Sequence, residues 1–194
     1  MIKVNIKYCL FLCLIALSCG SSGHDGEDKF IQINFNSPYS LNTAKSFGFT
    51  LSGGVSGSVN DSGPDCIAVT WDGHIDKRSY YGFAVGTDND DGVSNPTSNN
   101  IFNLILYFPK DGSAFGLKTL SPAPPDTAPP SGHYTAVMRY KGKIYKNPQT
   151  SITLNIQQNG TLTEVNNLTP FVLTFDSPAT VTVTKSSSIM LQPY

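Results

Sequence analysis

Residues Ile101 to Phe108 read IFNLILYF, apolar at odd and even positions alike and broken only by Asn103. A strand with one face in water alternates apolar and polar side chains, so a run with no alternation belongs to a strand covered on both faces. This stretch predicts the centre of a sheet. Outward from it, a period of two recurs along the chain. Phe47, Phe49 and Leu51 alternate with smaller or polar residues, as do Ile67, Val69 and Trp71, and then Tyr81, Phe83 and Val85. Upstream, Ile31, Ile33 and Phe35 alternate with Gln32, Asn34 and Asn36; downstream, Ile152, Leu154 and Ile156 alternate with Thr153 and Asn155. Phe115 with Leu117, Phe171 to Phe175, Val181 with Val183 and Ile189 to Leu191 complete the series. Gly53-Gly54, the turn residues of NDSGPD (60–65), Asp72-Gly73 and Gly86 punctuate it. The reading is all-β, a single antiparallel sandwich or barrel of about ten to twelve short strands.

Composition agrees. Only 14% of the 194 residues are charged, and Val, Ile, Tyr, Phe and Thr favour strands. No stretch of about ten residues after Cys19 keeps a helical period. The chain carries 13 basic and 14 acidic residues, which gives nucleic acid nothing to bind.

The N-terminus has a different character. Lys3 and Lys7 precede LFLCLIALSC (10–19), an apolar run closed by small residues and a cysteine. A spanning helix needs about 20 apolar residues, and this run supplies half of that. The layout resembles a bacterial lipoprotein signal. That resemblance implies cleavage before Cys19 and a lipid on its sulfur, with Ser18 fitting the position before the cut and Ala16 departing from the usual leucine. It implies a signal peptide over 1–18, a lipidated flexible tether over 19–29 (CGSSGHDGEDK) and a domain over 30–194, held at the bacterial cell envelope, with the outer membrane as its expected site. Acyl chains hold by about 0.8 kcal/mol per buried methylene, so two or more make a firm anchor. The alternative is plain secretion with Cys19 incidental. Loss of Lys3 and Lys7 leaves 13 − 2 = 11 basic against 14 acidic residues, a net charge of −3. If Cys19 carries lipid, the mature chain keeps only Cys66; if not, a Cys19–Cys66 bridge is the rival use of those sulfurs.

Residues 121–131, SPAPPDTAPPS, hold five of the 13 prolines and predict an extended loop outside the sheet. Beyond it Lys141-Gly142 signals a hairpin, with Arg139, Lys141, Lys143 and Lys146 gathered round it. Asn159-Gly160 signals another, and a three-residue loop that pairs Ile156 with Leu162 would keep the apolar face together. The succession GHYTAVMRY, KIY, TSITLNI resembles the carboxyl-terminal strands of small β lipoproteins from bacteria. It implies an exported sheet domain and transfers no site.

Candidate chemistry is sparse. Gly54-Val55-Ser56-Gly57-Ser58 approaches a nucleophile elbow but ends in Ser58 and precedes no helix. TDNDDG (87–92) has oxygen donors of the kind calcium takes, with no carboxylate further on. His74 and His133 read as loop residues, and Cys66 as a small buried hydrophobe. Trp71, Tyr80 and Tyr81 are the candidate sugar-stacking residues. Asp126-Thr127-Ala128 resembles the acceptor of bacterial O-glycosylation, making Thr127 a candidate, and Asn60, Asn159 and Asn167 head N-glycan triplets. The expectation is an envelope lipoprotein that binds or supports without catalysis, needs no cofactor or metal, and meets the membrane through Cys19 and envelope proteins or glycans through its domain. A carbohydrate-binding module is the first alternative and a secreted hydrolase the second.

Overall fold

The computed structural model describes residues 44–63, 66–75, 78–87, 102–175 and 179–193. Cys19, the tether, the strand expected at Ile31 to Phe35 and most of TDNDDG lie outside these. The described residues form strands and turns, with no helix. In chain order the strands are β1 (Ser46–Gly53), β2 (Gly57–Ser62), β3 (Ile67–Ile75), β4 (Arg78–Gly86), β5 (Phe102–Pro109), β6 (Gly116–Pro122), β7 (His133–Tyr140), β8 (Lys143–Tyr145), β9 (Ile152–Asn159), β10 (Leu162–Leu168), β11 (Phe171–Phe175), β12 (Ala179–Lys185) and β13 (Ile189–Leu191). They make one mixed sheet in the order β11-β12-β1-β13-β10-β9-β6-β7-β5-β4-β3, with β2 also on β1 and β8 also on β7. The sheet is folded into a sandwich and does not close into a barrel.

The core follows from the alternation. Phe47, Phe49 and Leu51 of β1, Leu154 and Ile156 of β9, and Val181 and Val183 of β12 face Phe83, Leu104, Leu106 and Met138 of the other layer. Phe47 and Phe49 meet Phe102 at ring distances of 5.8 and 5.9 Å. β5 is central, between β4 and β7, and six of its side chains running from Leu104 to Pro109 are buried on both faces, as IFNLILYF requires.

Four expectations are corrected. The last two residues of the elbow-like segment, Gly57 and Ser58, and the start of NDSGPD lie in β2, a polar edge strand that escapes detection because Val59 is its one buried side chain. β3 does not turn at Asp72-Gly73, since Asp72 pairs with Tyr81 and Gly73 with Tyr80. The β9–β10 turn is Gly160-Thr161, with Gly160 at φ 61°, so Leu162 pairs with Asn159 and Val165 with Ile156. That register keeps Ile156 in the core and puts Thr163 on the same face as Val165, with Leu162 buried on the other, and the register shifts at a bulge between Val165 and Asn167.

The fourth concerns residues 121–131, which do not all lie outside the sheet. Ser121 and Pro122 pair with His133 and Tyr134 in parallel, and Ala123 and Pro129 are buried. Parallel neighbours cannot be joined by a tight turn, so the proline segment is the crossover that this pairing demands. Pro122 is tolerated because the amides on either side of it, at Ser121 and Ala123, are the ones that bond Gly132 O and Tyr134 O. Lys141-Gly142, at φ 51° and 72°, makes the expected two-residue hairpin between β7 and β8.

Candidate binding edge

Trp71, Tyr80 and Tyr81 do not form a platform. Tyr80 and Tyr81 are neighbours in β4 and therefore point to opposite faces, and both are buried. Tyr80 meets the Tyr107 ring edge-on at 5.8 Å, while Tyr81 packs on Phe108 and bonds the Thr163 side chain. Trp71 lies in β3 opposite Gly82; its side chain is outside the described part. Thr127 is exposed, but its hydroxyl donates to Pro124 O at 2.9 Å, and neighbouring Asp126 accepts from Lys146 Nζ at 3.1 Å. Asn60, Asn159 and Asn167 are exposed. The basic residues near the hairpin are dispersed: Lys141 Nζ sits 5.2 Å over the Tyr140 ring, Lys146 serves Asp126, and Arg139 pairs across strands with Asn103 and Ile144.

Ser56 precedes a strand instead of the helix an elbow needs. His133 Nδ1 is 2.8 Å from Ser131 O. Cys66 is a free, buried thiol, and burial pushes it up to about 12, with Asp61 adding and Lys45 opposing. Among the described residues no three His, Cys, Asp or Glu side chains are placed to hold a metal.

The surface feature that sequence reading missed lies at the edges of the sheet. An edge strand carries unpaired backbone groups, which proteins usually cover or blunt. β11 has β12 on one side, and on the other the chain over 146–150 bonds to it: Lys146 and Thr174 exchange amide-to-carbonyl bonds at 2.9 and 2.8 Å, and Gln149 N donates to Val172 O at 2.9 Å. β3 is covered where Thr70 N donates to Gln192 O and Gln192 N to Ala68 O, each at 2.9 Å. β8 is short and flanked by Lys143 and Lys146, and β2 presents Ser58, Asn60 and Ser62.

β6 differs. One edge pairs with β9 from Gly116 to Leu120, and the other meets β7 only at Ser121 and Pro122. The amides of Ser121 and Ala123 point to the β7 side. Backbone groups alternate sides along a strand, so those of Leu117 and Thr119 point the same way, while Gly116, Lys118 and Leu120 bond β9. Among the described residues, nothing pairs with β6 at Leu117 and Thr119 on that side.

Exposed apolar groups gather here as well. Of the three large hydrophobic side chains exposed in the described residues, two are Phe115 at 44% and Leu117 at 70%. Phe115 leans on Tyr81 with ring centres 6.4 Å apart. Lys118 Nζ donates to Ser113 O at 2.5 Å and lies 5.6 Å over the Phe108 ring. On the adjoining strands, Gln157 and Asn159 donate amide protons to Glu164 Oε2 at 3.2 and 3.0 Å. That Leu120 alone is buried in β6 cannot be read from GLKTLSP, because whether a strand is an edge is settled by its neighbours.

No protein-family model matches this chain, and comparison with curated proteins and with solved structures finds no match.

Proposed function

We propose that the protein is a lipid-anchored binding module of the bacterial cell envelope, without catalysis of its own. The observation that carries the binding role is the edge of β6, where unpaired backbone groups of Leu117 and Thr119 coincide with exposed Phe115 and Leu117. Isolated surface apolar residues need no explanation, but apolar residues clustered on an open edge invite association unless something occupies it. The envelope location rests on LFLCLIALSC and the polar stretch after it, which would hold the domain clear of the bilayer by an acylated Cys19. A sandwich on a tether presents a rigid surface to its surroundings, which suits recognition. The test is palmitate labelling and cell fractionation of wild type and Cys19→Ala. Labelled, membrane-bound wild type and unlabelled, released variant are expected; unchanged retention of the variant would remove the anchor from this reading. Turnover of an envelope substrate that a single polar substitution abolishes would replace the module by a hydrolase.

A further inference from the structure

We propose that β6 is a strand-addition site: an extended segment of a partner protein pairs with its open edge between Gly116 and Leu120 and continues the sheet on the side of β6 away from β9. This rests on the reading of the protein as a binding module and names the class of its ligand.

The backbone selects the class. Leu117 and Thr119 each offer one N–H and one C=O on the same side, repeated at about 6.6–6.8 Å along the strand. An extended polypeptide supplies a donor and an acceptor at that same repeat, so the two residues can take up to four main-chain bonds. Sugar hydroxyls and acyl chains do not repeat in this way. The contrast between edges supports the choice, because the chain spends backbone of its own to cover β11 and β3 and leaves β6 open.

Side chains narrow the sequence of the partner. Leu117 and Phe115 favour apolar residues directly opposite, since cross-strand pairs are the unit of sheet stability. Lys118 is held by a carbonyl and an aromatic face, with no carboxylate among the described residues as a salt-bridge partner. An acidic residue on the added strand complements it. The partner segment is therefore extended, apolar at alternate positions, and acidic at a position that reaches Lys118.

Two substitutions separate this from a general loss of structure. Thr119→Pro removes an outward N–H and leaves the bonds of Gly116, Lys118 and Leu120 to β9 in place. Leu117→Lys changes a side chain that is mostly in water. The full-length protein is panned against random dodecapeptides, and the recovered peptide is titrated into wild type and both variants, with amide exchange read at residues 116–120. The expected result is a peptide of alternating apolar character whose binding newly protects the amides of Leu117 and Thr119 and weakens about tenfold in each variant. Recovery of no peptide, binding indifferent to both substitutions, or binding without protection at those amides would overturn the proposal. Glycan binding lost in Leu117→Lys would overturn the polypeptide class and leave the binding module standing. A wild-type dimer that Leu117→Lys dissolves would give the edge to a second copy of this chain instead.

Discussion

Gly82 lies in β4 against Leu106 and Tyr107 of β5, and Gly82→Ala tests the packing of the central sheet. It pairs with Trp71 on one side and Tyr107 on the other. A methyl group there would fall against the carbonyl oxygen of Leu106, 2.7 Å from Tyr107 Cα and 2.8 Å from Tyr107 Cβ. Carbon atoms rest at about 3.5–4.0 Å, so β5 must withdraw by roughly 1 Å. The first two are backbone atoms and Tyr107 Cβ is fixed to the backbone, so none can rotate aside. A withdrawal of that size stretches ladder bonds near 2.9 Å beyond useful range. Strain of about 1–3 kcal/mol with one or two bonds at about 0.5–1.5 kcal/mol each gives about 1.5–6 kcal/mol. At about 2–4 °C per kcal/mol, the melting temperature falls by roughly 3–24 °C, read by calorimetry or by circular dichroism on heating. At Gly86 the nearest obstacle is the side-chain amide oxygen of Asn103, which can turn away, so Gly86→Ala costs less. A Gly82→Ala protein within about 0.5 kcal/mol of wild type would refute the close approach of β4 and β5.

Further outcomes follow from the buried groups and the crossover. Burial pushes Tyr107 up to about 12, with Tyr80 adding to it, and raises Tyr134, with the Thr150 side chain opposing. A raised folded-state value means that stability is intact below the ordinary value of about 10 and is lost as pH rises towards 12, so tyrosinate absorbance should appear together with unfolding in that window. Separate titration of these hydroxyls in a folded protein would contradict their burial. Iodoacetamide should leave Cys66 unmodified in native protein and alkylate it after denaturation, as read by the mass of its peptide. Replacing residues 124–128 with Gly and Ser should change the melting temperature by only a few degrees, whereas extending the replacement over 121–123 should cost several times more, because Ser121 and Ala123 bond β7. Lys146→Ala should cost about 0.2–1 kcal/mol, the ordinary worth of an exposed ion pair such as that with Asp126.

The fold was legible where the pattern was local. IFNLILYF announced a doubly covered strand, Lys141-Gly142 announced its hairpin, and Phe47, Phe49 and Leu51 announced a core face. β2 was not legible, because a strand whose sole buried residue is Val59 has no alternation to see. Nor was the β9–β10 register, since Asn159-Gly160 and Gly160-Thr161 both make plausible turns and the choice falls to Thr163 reaching Tyr81 across the core. Tyr80 and Tyr81 were misjudged for a reason the sequence did contain: adjacent strand residues face opposite ways, and YYGFAV has small residues enough to sit inside on both faces. The β6 edge was hidden because exposure of Leu117 depends on where β7 diverges from β6, a long-range property of the crossover over 123–132.

Among the described residues the outward side of β6 at Leu117 and Thr119 is the open edge that carries exposed apolar side chains, and residue-resolved amide exchange of the free protein examines it directly. The amides of Lys118 and Leu120 face β9 and should exchange slowly, as should Ser121 against Gly132 O, while those of Leu117 and Thr119 should exchange near the rate of an unstructured chain. Slow exchange at all five positions would contradict an open edge, and with it the binding role assigned to β6.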